Sequence, residues 1–164
     1  MKLKYLAFIA FGTLLVTACI RFTAPDSPQI EIEDPWVRAV PAMNMQMEDE
    51  SSNDSTSHMD GSTSAAYMTL RNNGKVADRL IGVQSDAAEV VEMHTTQTTN
   101  DVSMMAKVEN IEIPALGKVI LEPGGAHLML IRLTRDLNAG EKVQLTLDFE
   151  ISGQMLVEAE VRAP

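Results

Sequence analysis

Soft side chains recur in this chain at spacings that would let them share one metal ion. It has eleven methionines and three histidines, and every histidine lies within two residues of a methionine: His58-Met59, Met93-His94 and His127-Leu128-Met129. A further pair, Met104-Met105, falls between the last two. Thioether sulfur and imidazole nitrogen are soft to borderline donors, which select reduced copper over magnesium, calcium or manganese. Cys19 is the single cysteine and lies ahead of the folded domain, at the end of the export pattern, so that domain has no thiolate for a metal and no disulfide. Methionine suits Cu(I) in an oxidising compartment because it cannot be lost to a disulfide, although it can become the sulfoxide.

The elements that must position these donors are short runs with period two, separated by turn signals. Ile30 to Glu33 alternates, Asp34-Pro35 interrupts, and Trp36 to Val40 resumes an extended pattern. Ala65 to Arg71 closes on Asn72-Asn73-Gly74, and Arg79 to Val83, Glu89 to Thr95, Val102 to Val108, Ile111 to Ile113 and Lys118 to Leu121 follow. Pro123-Gly124-Gly125 turns the chain into Ala126 to Leu133. The clearest strand has Val143, Leu145, Leu147, Phe149 and Ile151 alternating with polar residues, before a turn at Ser152-Gly153-Gln154 and a last run from Met155 to Arg162. Eight or more short strands without an amphipathic helix predict an all-β sandwich or barrel, and polar outward faces favour antiparallel pairing.

Strand alternation divides each Met and His pair between core and surface, because neighbouring residues point to opposite faces. Met93 shares a face with Val91, while His94 shares the other with Glu92. Met104 groups with Val102, Ala106 and Val108 as core, leaving Met105 with Ser103 and Lys107. His127 and Met129 project from one face about 6 to 7 Å apart, a spacing that suits two ligands on one ion. His94, Met105, His127 and Met129 thus form a candidate four-ligand site. The competing interpretation makes these methionines core filler, and a one-residue slip in the short strand around His94 would present Met93 in its place.

The residues that bear on location precede that domain. Lys2 and Lys4, the apolar run Leu6 to Val16 and then Val16-Thr17-Ala18-Cys19 match an export signal over residues 1–18 that ends in a lipobox-like cut. Cys19 is then the lipid-bearing N-terminus, residues 19–29 with Pro25 and Pro28 a tether, and 30–163 the domain. An uncleaved anchor and an ordinary secretory cut are the alternatives. Without Lys2 and Lys4 the mature chain has 11 basic and 23 acidic residues, a charge of −12. Such a surface argues against nucleic acid and against charge-driven binding to anionic lipid. Pro41 to Ser64 contains no Val, Ile, Leu or aromatic residue and reads as a loop inserted in the domain. It carries Met43, Met45, Met47, His58 and Met59, a candidate second and weaker copper-collecting site.

The spacing of the four donors resembles a family motif. Ten residues separate His94 from Met105, twenty-one separate Met105 from His127, and one separates His127 from Met129. This is similar to the PCuAC family of periplasmic copper chaperones, as are Asp34-Pro35-Trp36 with Arg38, Ala65-Ala66-Tyr67, Pro123-Gly124-Gly125 and Leu145 to Phe149, over about Ile30 to Arg162. The resemblance implies a cupredoxin-like or Ig-like antiparallel Greek-key β-sandwich that binds one Cu(I) near its surface as a monomer. It also implies delivery of that ion to the CuA centre on subunit II of cytochrome c oxidase, directly or with a Sco-type thiol protein. The 41–64 insertion departs from the family pattern.

Four other functions compete. A copper storage or resistance lipoprotein would use the same site residues. An Ig-like interaction module without metal would use them as core. A blue-copper electron carrier needs a Cys thiolate that the mature domain lacks. An enzyme is the least supported, because no nucleophile triad, phosphate loop or zinc-type cluster can be assembled.

Overall fold

The computed structural model describes residues 25–40, 63–99 and 102–163. Cys19, Met43, Met45, Met47, His58 and Met59 lie outside the described residues, as does the lipobox. Ten strands are present: β1 (Ile30–Arg38), β2 (Thr63–Asn72), β3 (Asp78–Ser85), β4 (Ala88–Thr99), β5 (Val102–Lys107), β6 (Ile111–Ile113), β7 (Lys118–Leu121), β8 (His127–Leu133), β9 (Lys142–Phe149) and β10 (Gly153–Arg162). The second strand begins at Thr63, inside the segment that composition assigns to the loop, because Ser64 is buried and its hydroxyl donates to the Arg38 carbonyl at 2.6 Å.

Hydrogen bonding links the strands in the order β5-β4-β8-β2-β1-β10-β9-β3-β6, with β7 on β2 beside β8. The ribbon folds over until β3 meets β4, giving the two layers of an all-β sandwich. Leu128 and Leu130 of β8, Met93 of β4 and Leu70 of β2 face Leu145, Leu147 and Phe149 of β9 and Leu80 of β3 across one core. Pairing is antiparallel except between β1 and β10. These are the first and last strands described, so no short connection forces them to run in opposite directions.

Two local devices refine the strand pattern. Asp34-Pro35 does not end a strand; it makes a bulge in β1 with Asp34 at φ 47°, and the Asp34 carboxylate takes two N–H groups of Arg162 at 2.6 and 3.1 Å. Between β9 and β10 the turn spans 150–152 and pairing resumes at Gly153, whose φ of 73° suits glycine. Ile151 therefore sits exposed on that turn rather than continuing the buried row of β9. Residues 25–29, tether by composition, dock on the turn after β2. There the buried Asn72 amide accepts N–H bonds from Gln29 and Gly74, each at 3.0 Å, and donates to the Val76 carbonyl.

One methionine is misplaced by alternation. Met104 belongs to the core by its apolar neighbours, yet it is 68% exposed, close to the 63% of Met105. The reason is position: β5 ends the sheet order, and Ala106 beside it is exposed as well. Alternation separates two faces but cannot say whether either face is covered. Met93, on the central strand β4, is buried as its pattern predicts.

Candidate metal centre

Strand register brings the two domain histidines together. His94 of β4 lies directly opposite His127 of β8, and their ring centroids are 5.8 Å apart. One step along the strands, Glu92 faces Met129, which on its other side faces Ala65 of β2. One step the other way, Thr96 faces Met105 of β5. All four candidate ligands thus belong to the outward face of the β5-β4-β8-β2 layer, while Met93 and Leu128 turn inward. The slip that would exchange Met93 for His94 does not occur.

Each imidazole has one nitrogen assigned and one left over. His127 Nδ1 lies 3.1 Å from the Gly125 carbonyl, which can only accept, so that nitrogen carries the proton and Nε2 keeps its lone pair. His94 Nε2 lies 3.0 Å from Glu92 Oε2, so the proton there sits on Nε2. His94 Nδ1 is buried and has no hydrogen-bond partner among the described residues. An orphaned buried acceptor ordinarily costs about 1–3 kcal/mol. A buried lone pair without a donor is the state a metal ligand must have before its ion arrives. The Glu92 carboxyl is held below its ordinary value by the Lys107 ammonium at 2.6 Å, with a smaller effect from His94, so it stays an anion at neutral pH.

Met105, His127 and Met129 line one open cavity of about 570 Å³, together with Arg38, Thr96 and Tyr67. His94 is not on its wall; it stacks behind His127, with 15% of its side chain exposed. Three of the four candidates therefore converge on a common space, and the fourth borders it through the neighbouring ring. A row of tilted rings continues from His127: Tyr67 is 6.5 Å away by centroids, and Trp36 is 4.4 Å from Tyr67. This row fixes the His127 ring and explains why a histidine on an outward face is 8% exposed. Chemically, two imidazoles and two thioethers suit a soft monovalent ion, whereas no cluster of three His, Cys, Asp or Glu exists among the described residues to favour zinc.

Known proteins share this fold. The copper-bound PCuAC domain from PmoF2 superposes with a TM-score of 0.61 at 28% identity, covering 87% of this chain and 97% of that one. The solution structure of CuI-DR1885 from Deinococcus radiodurans gives 0.57 at 30% identity, covering 80% and 76%. A family model for LpqE-like lipoproteins matches residues 30–161. The chain belongs to the LpqE-like family of PCuAC-type domains. Among curated relatives, the LpqE-like chain is 36% identical to the lipoprotein Lxx21020 of Leifsonia xyli over 86 residues, which are 52% of each chain. Protein RP573 of Rickettsia prowazekii is 30% identical over 138 residues, 84% of this chain and 68% of that one. The LpqE-like chain thus spans about half the length of the Leifsonia relative.

Several residues around the candidate site lie outside the four-donor set. Glu92 and Lys107 are the main ones, and both were visible as same-face neighbours of His94 and Met105. The Gly125 carbonyl that orients His127 carries no sequence signal, because any residue supplies a carbonyl and only the turn aims it. Thr96 and Arg38 join the cavity through strand register alone.

Proposed function

We propose that this domain is an extracytoplasmic metallochaperone that binds one Cu(I) through His94, Met105, His127 and Met129. The observation that carries the proposal is the buried, partnerless Nδ1 of His94 beside His127, whose Nδ1–H is already committed to Gly125. In the neutral imidazoles the bonds to Glu92 and Gly125 leave His94 Nδ1 and His127 Nε2 as the nitrogens that can take a metal. The copper-bound PCuAC domains among the structural neighbours support the choice of metal.

Holding and releasing the ion follow from the donor set. Thioethers and imidazoles keep Cu(I) without a thiolate, so cysteines on an acceptor form stronger bonds and can displace the four donors one at a time. Met105 stands on the edge strand, 63% exposed, and is the donor an acceptor reaches first. The acceptor in this proposal is the CuA domain of cytochrome c oxidase subunit II, loaded directly or through a Sco-type thiol protein. Lipidation of Cys19 would hold the chaperone at the outer face of the membrane, in keeping with the lipoprotein relatives. No bond is made or broken in a substrate, so the activity is binding and transfer rather than catalysis.

Transfer is the test. The Cu(I)-loaded protein is mixed with an apo CuA domain, and separately with a reduced Sco-type protein, and copper is followed by absorbance and mass. Movement of copper to either supports delivery. Tight binding without transfer would mean storage or resistance, and absence of Cu(I) binding would leave an Ig-like interaction module.

A further inference from the structure

We propose that Glu92 is a positioning residue for this site, acting on His94 and on the strand that carries Met105; the inference rests on the copper reading above. Glu92 lies at the Met129 end of the ligand array. It precedes His94 by two residues on the same face of β4, stands opposite Met129 on β8, and reaches Lys107 on β5.

Its two carboxylate oxygens do separate jobs. Oε2 accepts from His94 Nε2 at 3.0 Å, which selects the tautomer whose lone pair is on Nδ1. A carboxylate behind a ligating imidazole also makes the ring a better donor and stops it rotating. Oε1 accepts from Lys107 Nζ at 2.6 Å, and Lys107 lies opposite His94 in the β4–β5 register. That ion pair ties the edge strand to the ligand array two residues from Met105. Its lysine is 61% exposed, so the pair contributes little to global stability. What it can do is hold β5 in register where β5 has no second neighbour among the described strands.

The tautomer can be read without copper. In the metal-free protein, long-range nitrogen–proton NMR of the imidazoles should show His94 protonated on Nε2. Glu92→Ala should shift His94 toward the Nδ1–H form and weaken Cu(I) binding by about 10- to 100-fold. Glu92→Gln keeps an acceptor for Nε2–H at the same length and removes the charge. It should restore the tautomer and most of the affinity, and it serves as the folded control should Glu92→Ala unfold. Lys107→Ala should leave the tautomer alone and raise the rate of Cu(I) release. An unchanged His94 tautomer in Glu92→Ala, or equal Cu(I) affinity in wild type and Glu92→Gln and Glu92→Ala alike, overturns the positioning role. Failure of the wild type to bind Cu(I) would instead overturn the copper reading while leaving the tautomer result standing.

Discussion

Met93 and Met104 belong to the same residue type and to adjacent, paired strands, and sequence alternation gives both to the core. Truncating each to alanine separates them. Met93 is 7% exposed and packs in the cluster with Leu128 and Leu130, so Met93→Ala removes a buried thioether chain and leaves a cavity behind the β4 ligand strand. The expected cost is about 3 kcal/mol, within the roughly 2–5 kcal/mol typical of such truncations. For a chain of 164 residues this is a fall in Tm of about 6–12 °C. Met104 is 68% exposed on the edge strand, so Met104→Ala should change stability by no more than about 0.5 kcal/mol. Urea unfolding of the metal-free proteins, followed by tryptophan fluorescence, measures both. A loss above about 1.5 kcal/mol for Met104→Ala, or below about 1 kcal/mol for Met93→Ala, would refute the assignment of faces on β4 and β5.

Three other outcomes can be checked. Met105→Ala and Met129→Ala should each weaken Cu(I) binding by about tenfold or more, at least about 1.4 kcal/mol, in a competition titration; Met105→Ala should leave Tm nearly unchanged because its side chain is exposed. Asp78 is buried, which raises its pKa, but the Ser152 hydroxyl and the N–H groups of Ile151, Arg79 and Ser152 outweigh this and hold it below the ordinary 3.8. Its stabilising effect is complete above that ordinary value and is lost as pH falls through the lower folded-state value. Asp78→Ala should therefore cost about 3 kcal/mol at pH 7 by urea unfolding, and the gap from wild type should narrow only below about pH 4. At Gly74 an added Cβ would run into the Ser27 carbonyl and lie 2.9 Å from Pro28 Cα, so Gly74→Ala should push residues 27–29 off the turn. Limited proteolysis should then cut before β1 faster than in wild type, and an unchanged rate would show that the segment yields without leaving.

The all-β class, at least eight strands and the faces of all four candidate ligands were legible because β-structure writes its geometry into a period of two. Val143, Leu145, Leu147 and Phe149 are buried as their alternation requires, and His94, His127 and Met129 fall on the outward side of strands whose inward residues are Met93, Leu128 and Leu130. Asp34-Pro35 looked like a break because proline lacks an N–H; the fold absorbs it as a bulge with Arg162 clamped on Asp34.

What the chain alone determined is the candidate donor set: two imidazoles and two thioethers, on strands of known facing. Tertiary structure decided which of those donors are reachable and which nitrogen each ring offers. Met104 and Met105 differ by one position in sequence, and only the edge location of β5 leaves both in solvent. The Nδ1 of His94 is free because Glu92 holds Nε2, and the Nε2 of His127 is free because a turn aims the Gly125 carbonyl at Nδ1. Local periodicity can say that two side chains share a face. Register between strands distant in sequence says which ones meet, and that is set by packing rather than by neighbours along the chain.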